Sequence, residues 1–178
     1  MRIAILLLFI SNFCFSQETE VFNFKYYSVE YDFDKRSANS VSYSLTNEMV
    51  SDTSKSTERV GFIATKKTAS NKDYRKSGYD RGHCFPHAHS SHDSDFAHQS
   101  MYFVNIVAQT PYINRGLWKQ IEEYERHLAV KYGCIRVKID IVYSREKMKR
   151  VFLPDHFIKR IETCFGESLG EFRIENIN

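Results

Sequence analysis

Proline and glycine are scarce in this chain, 3 and 7 residues among 178, and no stretch concentrates them. That removes the Pro- or Gly-rich boundary that separates domains, and there is no internal repeat or low-complexity linker either. The length suits one domain with a core large enough to fold alone. A dominant charge is also lacking: 25 basic against 22 acidic residues leave a formal net charge of +3. So small an excess permits binding to a polyanion without demanding it. Beyond the N-terminus no apolar run approaches the length that a membrane-spanning helix needs. What is plentiful is aromatic: 14 Phe and 11 Tyr supply much of the apolar material of an otherwise ordinary globular composition.

The N-terminus reads as a secretory signal. Arg2 gives the positive start, residues 3–10 the apolar stretch, and Cys14-Phe15-Ser16 the small residues that a signal peptidase checks. Cleavage after Ser16 leaves residues 17–178 as a single domain, and the expected location is secreted or periplasmic. The apolar stretch is too short for a membrane anchor, and bulky Phe13 argues against lipid attachment at Cys14. Loss of Cys14 leaves Cys84, Cys134 and Cys164, an odd number that allows one internal bridge at most. Cys134 and Cys164 are the favoured pair because Cys84 adjoins His83, a candidate for chemistry; three reduced, buried thiols remain the other option.

Along the chain, residues 22–33 are rich in Phe and Tyr and read as one or two β segments. Residues 41–45 alternate apolar and polar as a half-buried strand does. Residues 46–76 form a long polar connection, and 101–107 an apolar run expected to be a strand. After Pro111 a helix is expected from about Asn114, with Leu117, Ile121, Tyr124 and Leu128 as its buried stripe. Asn114, Trp118, Glu122 and Arg126 follow a neighbouring stripe. Ile135, Val137, Ile139 and Ile141 alternate with polar residues and make the clearest strand. Residues 154–164 read as a second helix opened by Pro154, and 172–174 as a short last strand. The order points to an α+β architecture.

Several of these residues suit chemistry on phosphate esters. His83 can accept a proton near neutral pH, and Gly82 before it would allow a tight turn that presents the ring. Arg81 matches a phosphate in bidentate geometry, and Arg59, Arg75, Arg115 and Arg126 are further clamp candidates. Each alone is an ordinary surface charge. Asn114 offers an amide oxygen of the kind that Mg²⁺ accepts, although an Asn near a helix start is more often a cap. Glu122, two turns further on, could orient metal-bound water. Trp118 reads as a packing anchor. His83, His87, His89, His92 and His98 form a histidine-rich stretch that could bind Zn²⁺, yet no helical i, i+4 His pair or thiolate pair accompanies it. His87, His89, His92 and His98 are therefore read as mostly exposed loop residues.

The combination resembles the DNA/RNA non-specific endonuclease family, the sugar-non-specific nucleases that include endonuclease G. The residues that carry the likeness are Asp73-Tyr74, the run Ser77-Gly78-Tyr79-Asp80-Arg81-Gly82-His83, Pro86, Phe103-Val104-Asn105, Gln109, Asn114-Arg115-Gly116, Trp118, Glu122 and Arg126. Weaker echoes lie at residues 41–46, Arg59, Phe62, residues 153–157 and Lys159. The resemblance implies an α+β fold with a ββα-metal (His-Me finger) core: a central, mostly antiparallel sheet with flanking helices. It implies His83 as general base and Asn114 as sole direct protein ligand of Mg²⁺ (or Mn²⁺), with Glu122 holding metal waters. Arg81, Arg59, Arg126 and Arg115 would meet phosphates, while Asp80 and Asn105 support the site. DNA and RNA are the implied substrates, and monomer and homodimer are both open. The chain departs from the family pattern in its His-rich stretch after Pro86, in Met101 where a polar residue is usual, and in its shortness after residue 160. The competing expectation is a non-catalytic relative that binds nucleic acid or a metal through the His83–His98 cluster.

Overall fold

The computed structural model describes residues 18–51, 60–65, 67–90 and 93–177. The expected leader, Arg59 and His92 lie outside the described residues. In chain order the elements are β1 (Thr19–Asn23), β2 (Tyr27–Asp32), β3 (Ser37–Thr46), α1 (Asn47–Ser51), α2 (Asn71–Tyr74), β4 (Asp80–His83), α3 (Ser94–Ser100), β5 (Ile106–Gln109), α4 (Pro111–Arg115), α5 (Leu117–Tyr132), β6 (Cys134–Met148), β7 (Val151–Thr163) and β8 (Ser168–Glu175). Six strands form one antiparallel sheet in the order β1-β2-β3-β6-β7-β8, and β4 pairs with β5 in a second, two-stranded sheet.

Alternation explains the large sheet. Side chains two apart share a face, and the register aligns the apolar rows: Val29 opposite Val41, Val41 opposite Ile139, Tyr43 opposite Val137, Leu45 opposite Ile135, and Ile141 opposite Phe157. All of these are buried. The other face of the same strands carries charge, with Arg136 bridged to Glu162 at 2.9 Å and Arg160 to Asp140 at 2.5 Å. One face therefore meets water and the other the core, which α5 covers. Trp118 of α5 packs edge-on against Phe157 of β7, ring centroids 5.1 Å apart. Cys134 and Cys164 are joined in a disulfide where β6 begins and β7 has just ended. Cys84 is free and buried, and burial pushes its thiol up to about 12, which leaves it inert at neutral pH.

Four expectations need correction. Residues 154–164 are strand, not helix. Pro154, which lacks an N–H, sits where the β6–β7 register shifts, and the charged Lys159 occupies an inward position that alternation would give to an apolar residue. The run at 101–107 begins with a cap and a 3₁₀ turn at Phe103–Asn105, so its strand starts only at Ile106. The helix after Pro111 starts earlier and is two helices: Thr110 caps α4, with its hydroxyl accepting from Ile113 N–H at 3.4 Å, and Gly116 separates α4 from α5. A Cβ at Gly116 would come within 2.6 Å of the Tyr112 carbonyl oxygen. This break rotates α5, so its buried face is Trp118, Ile121, Glu125, Leu128 and Ala129, while Leu117 and Tyr124 are exposed.

Candidate active site

The antiparallel pair β4–β5, followed directly by α4 and α5, builds a ββα unit whose strand β5 packs on β3 and β7 of the large sheet. Pairing sets Asp80 opposite Gln109, Arg81 opposite Ala108, Gly82 opposite Val107 and His83 opposite Ile106. Alternation then puts Arg81 and His83 on one face of β4. Gly82 lies within this strand instead of making the expected tight turn. Its lack of a side chain serves a close approach: a Cβ there would lie 2.2–2.6 Å from the buried side chain of Gln109. Beyond His83 the chain is held by buried Asn105, whose Oδ1 accepts from Phe85 N–H at 2.8 Å and whose Nδ2 donates to the Phe85 and Ser100 carbonyls, both at 2.9 Å.

A cleft of about 610 Å³ opens on this unit, and Arg81, His83, Asn114, Arg115, Glu122 and Arg126 all line it, with Asp80, Phe62, His87 and Lys119. Asn114 sits inside α4 and is not the helix cap, so its side chain is available to the site. Its Nδ2 donates to Asp80 Oδ2 at 3.0 Å. With the nitrogen engaged there, the amide oxygen is the atom left to ligate. Arg115 grips the same Asp80 carboxylate with two hydrogen bonds of 2.8 Å. Those bonds hold the Asp80 carboxyl below its usual range, against some desolvation, and Asn114 adds to the effect. Arg81 stacks over the Phe62 ring at 4.6 Å and donates to Asn71 Oδ1 at 2.7 Å. His83 is half-buried with Nε2 3.4 Å from Met101 Sδ.

Glu122 is half-buried in the cleft. Burial pushes its carboxyl up to about 7; Lys159 and Arg126 pull it down and Glu125 pushes it further up. One turn along α5, Glu125 belongs to the interior: it accepts from Lys159 Nζ at 2.7 Å and from Tyr43 Oη at 2.6 Å, with His89 Nδ1 at 3.9 Å. Lys159 Nζ also lies 4.2 Å from the centroid of the Trp118 ring. Sequence reading missed this buried cluster, since a lone Glu, Lys or His reads as surface. The signal that could have located Lys159 is its place two residues from both Phe157 and Ile161.

The histidine-rich stretch does not behave as one exposed loop. His89 is buried and burial lowers it to about 4, so it is neutral near pH 7. His87 is half-buried in the cleft with Nδ1 3.0 Å from Ser100 Oγ, and His98 is exposed. Among the described residues, three ligand-type side chains gather elsewhere, at Asp155, His156 and Glu175, within 4.8 Å of one another. There the Arg173 guanidinium already contacts His156 Nδ1 at 3.2 Å and Glu175 at 2.7 Å, which makes an ion-pair network. In the main cleft the donors suit a hard divalent cation: an amide oxygen on Asn114 and a carboxylate on Glu122, while the free thiol among the described residues, Cys84, is buried.

A large antiparallel sheet with a ββα unit packed on its strands β3 and β7 defines the class: an α+β fold of the ββα-metal type. The sequence profile of the DNA/RNA non-specific endonuclease family matches residues 8–169, and the chain belongs to that family. It is similar to Nuclease 1, mitochondrial, of Schizosaccharomyces pombe, 31% identical over 115 residues, covering 56% of this chain and 35% of that protein. It is similar also to human Endonuclease G, mitochondrial, 30% identical over 105 residues, covering 51% and 35%. The chain thus spans about a third of the length of these curated relatives. Among solved structures, that of the EndoG/EndoGI complex superposes with a TM-score of 0.74 at 25% identity, covering 88% of this chain and 74% of that one. The expected secreted or periplasmic location is overturned by these relatives. Nuclease 1, Endonuclease G and the Mitochondrial nuclease of Saccharomyces cerevisiae are all named as mitochondrial. No helix among the described residues is long and apolar enough to cross a membrane.

Proposed function

We propose that the chain is a metal-dependent endonuclease that hydrolyses phosphodiester bonds of DNA and RNA without sequence preference. The observation that carries this reading is the meeting of His83, Asn114 and Glu122 in one cleft with Arg81 and Arg126. His83 takes the proton of the attacking water at a ring nitrogen. The guanidinium groups of Arg81 and Arg126 hold phosphate oxygens. Contacts of that kind read the backbone and not the bases, which explains cleavage without sequence preference. Asn114 would hold Mg²⁺ or Mn²⁺ through its amide oxygen, and Glu122 would hold waters of the bound ion. When bound, the ion offsets the negative charge that builds on the phosphate. Arg115 was expected to meet substrate, but its guanidinium is engaged with Asp80. It acts with Asp80 to hold the Asn114 amide in the orientation that leaves its oxygen toward the cleft. Asn105 supports the site by fixing the chain that leaves His83.

The alternative, a non-catalytic binder built on the His83–His98 stretch, lacks a comparable observation, since His89 faces the interior and His98 the solvent. The test is digestion of supercoiled plasmid and of single-stranded RNA by the full chain with Mg²⁺, Mn²⁺ or EDTA. Nicking of the plasmid and loss of the RNA, both stopped by EDTA, are the expected results. Intact substrates with either metal would reject the reading.

A further inference from the structure

Two departures from the family pattern, the histidine-rich stretch after Pro86 and Met101, meet at His83. Met101 follows α3 and is fixed by backbone on both sides: its N–H donates to the His98 carbonyl at 3.1 Å and its carbonyl accepts from Ile63 N–H at 3.0 Å. Its side chain is buried, and Sδ lies 3.4 Å from His83 Nε2. His87, on the 3₁₀ turn His87–Ser90, brings a second imidazole whose ring centroid is 6.3 Å from that of His83. Its Nδ1 lies 3.0 Å from the hydroxyl of buried Ser100, which orients the ring. These spacings suit ligands of one small ion. Bonds of about 2.0 Å to nitrogen and about 2.3 Å to sulfur, at a tetrahedral angle, put the two atoms about 3.5 Å apart. Two imidazoles on one ion have centroids about 5–6.5 Å apart, according to the angle at the metal.

A thioether is a soft, neutral ligand that favours Cu⁺ over Mg²⁺ or Mn²⁺, and imidazole suits copper as well. The hard donors of the cleft, the Asn114 amide oxygen and the Glu122 carboxylate, follow the opposite preference. The Phe62 ring beside His83, with centroids 5.5 Å apart, makes this corner apolar. The geometry points to a soft-metal site in the cleft: His83, His87 and the Met101 thioether bind Cu⁺, and the bound ion blocks cleavage. The block rests on the reading of His83 as general base, because a nitrogen lone pair bonded to copper cannot take a proton from water. The binding does not rest on that reading. Each imidazole and the sulfur give the ion a lone pair, no electron is transferred, and a chelator that removes the ion restores the ligands.

The test is an oxygen-free titration of Cu⁺ into the full chain against a chromogenic Cu⁺ chelator, for wild type, Met101→Leu and His87→Ala. X-ray absorption at the copper edge reads the ligands. Leucine keeps the apolar volume of Met101 and removes the sulfur. The expected wild type binds one ion through nitrogen at about 2.0 Å and one sulfur at about 2.3 Å, and each variant binds at least about tenfold more weakly. Equal affinity in wild type and Met101→Leu would overturn the inference. So would a sulfur neighbour that persists in Met101→Leu, as if buried Cys84 supplied it, or a site that takes Zn²⁺ in preference to Cu⁺. In the same samples, plasmid cleavage with Mg²⁺ should stop as the wild-type site fills and withstand about tenfold more Cu⁺ in Met101→Leu, each read against its own copper-free rate. Failure of the base reading looks different: Cu⁺ would then bind through Met101 while cleavage continues, which supports the site and refutes His83 as base.

Discussion

Glu122 and Glu125 lie one turn apart on α5, and their surroundings could hardly differ more. Glu125 is fully buried and met by Lys159 and Tyr43 at 2.7 and 2.6 Å. Glu122 looks into a cleft and has its carboxyl pushed up to about 7. A buried charge with close partners fastens a helix to a sheet; a half-buried one that is poorly matched is a group with unspent affinity for a cation or a proton. The Asp80 group lies between these extremes. Its carboxylate is matched by Arg115, and together they hold an amide that is itself open to the cleft. In the function proposed above, the two regions divide the labour along one helix, with stability on the sheet side and chemistry on the other.

Variants can break this division, and the largest effect is expected in the interior. Lys159→Met leaves Glu125 buried without its cation and should cost about 3–5 kcal/mol in urea unfolding. Adding Glu125→Leu to it should recover much of the loss, because an apolar pair of similar volume removes the stranded charge. In the cleft the readout changes sides: Asn114→Ala should lower metal-dependent cleavage by about 10²–10³ with the unfolding midpoint nearly unmoved. Gly82→Ala tests the join between the regions, since its Cβ would collide with Gln109. It should cost about 1–3 kcal/mol by overpacking and lower activity as well by shifting β4 under His83.

The smallest effect sharpens the comparison through pH. The folded-state carboxyl of Glu122 binds its proton more tightly than the unfolded one, about 7 against a model value of 4.5. The folded state therefore holds more protons in that window, and stability should fall as pH rises from about 4.5 to 7. Glu122→Gln should flatten that part of the profile, with the variant more stable than wild type by about 1–2 kcal/mol above pH 7 in metal-free buffer. A variant less stable than wild type above pH 7 would mean that Glu122 is held by favourable contacts.

Much of the sheet was legible because β3 and β6 alternate without interruption, as at Val41, Tyr43 and Leu45 and from Ile135 to Ile141. β7 was not, because Pro154 at its start suggests a helix and Lys159 breaks the apolar row. The core phase of α5 was misread at Leu117 and Tyr124, since the break at Gly116 depends on a backbone contact with Tyr112 that no local pattern reveals. The grouping of His83, Asn114, Glu122, Arg81, Arg115 and Arg126 into one cleft agrees with what the family resemblance implies, while Arg75 lies outside that cleft. The tie between Arg115 and Asp80 could not be anticipated, because it depends on how α4 leans over β4, and neither could the burial of His89. That Asn114 is no cap followed from Thr110 taking the role four residues earlier.

The most direct test of the central claim is a side-by-side comparison of His83→Ala with wild type, measuring plasmid and RNA cleavage with Mg²⁺ and the urea unfolding curve of the same samples. The account predicts cleavage at least about a hundredfold slower with an unchanged unfolding midpoint. Undiminished cleavage, or a loss of activity that merely follows a loss of stability, would contradict it.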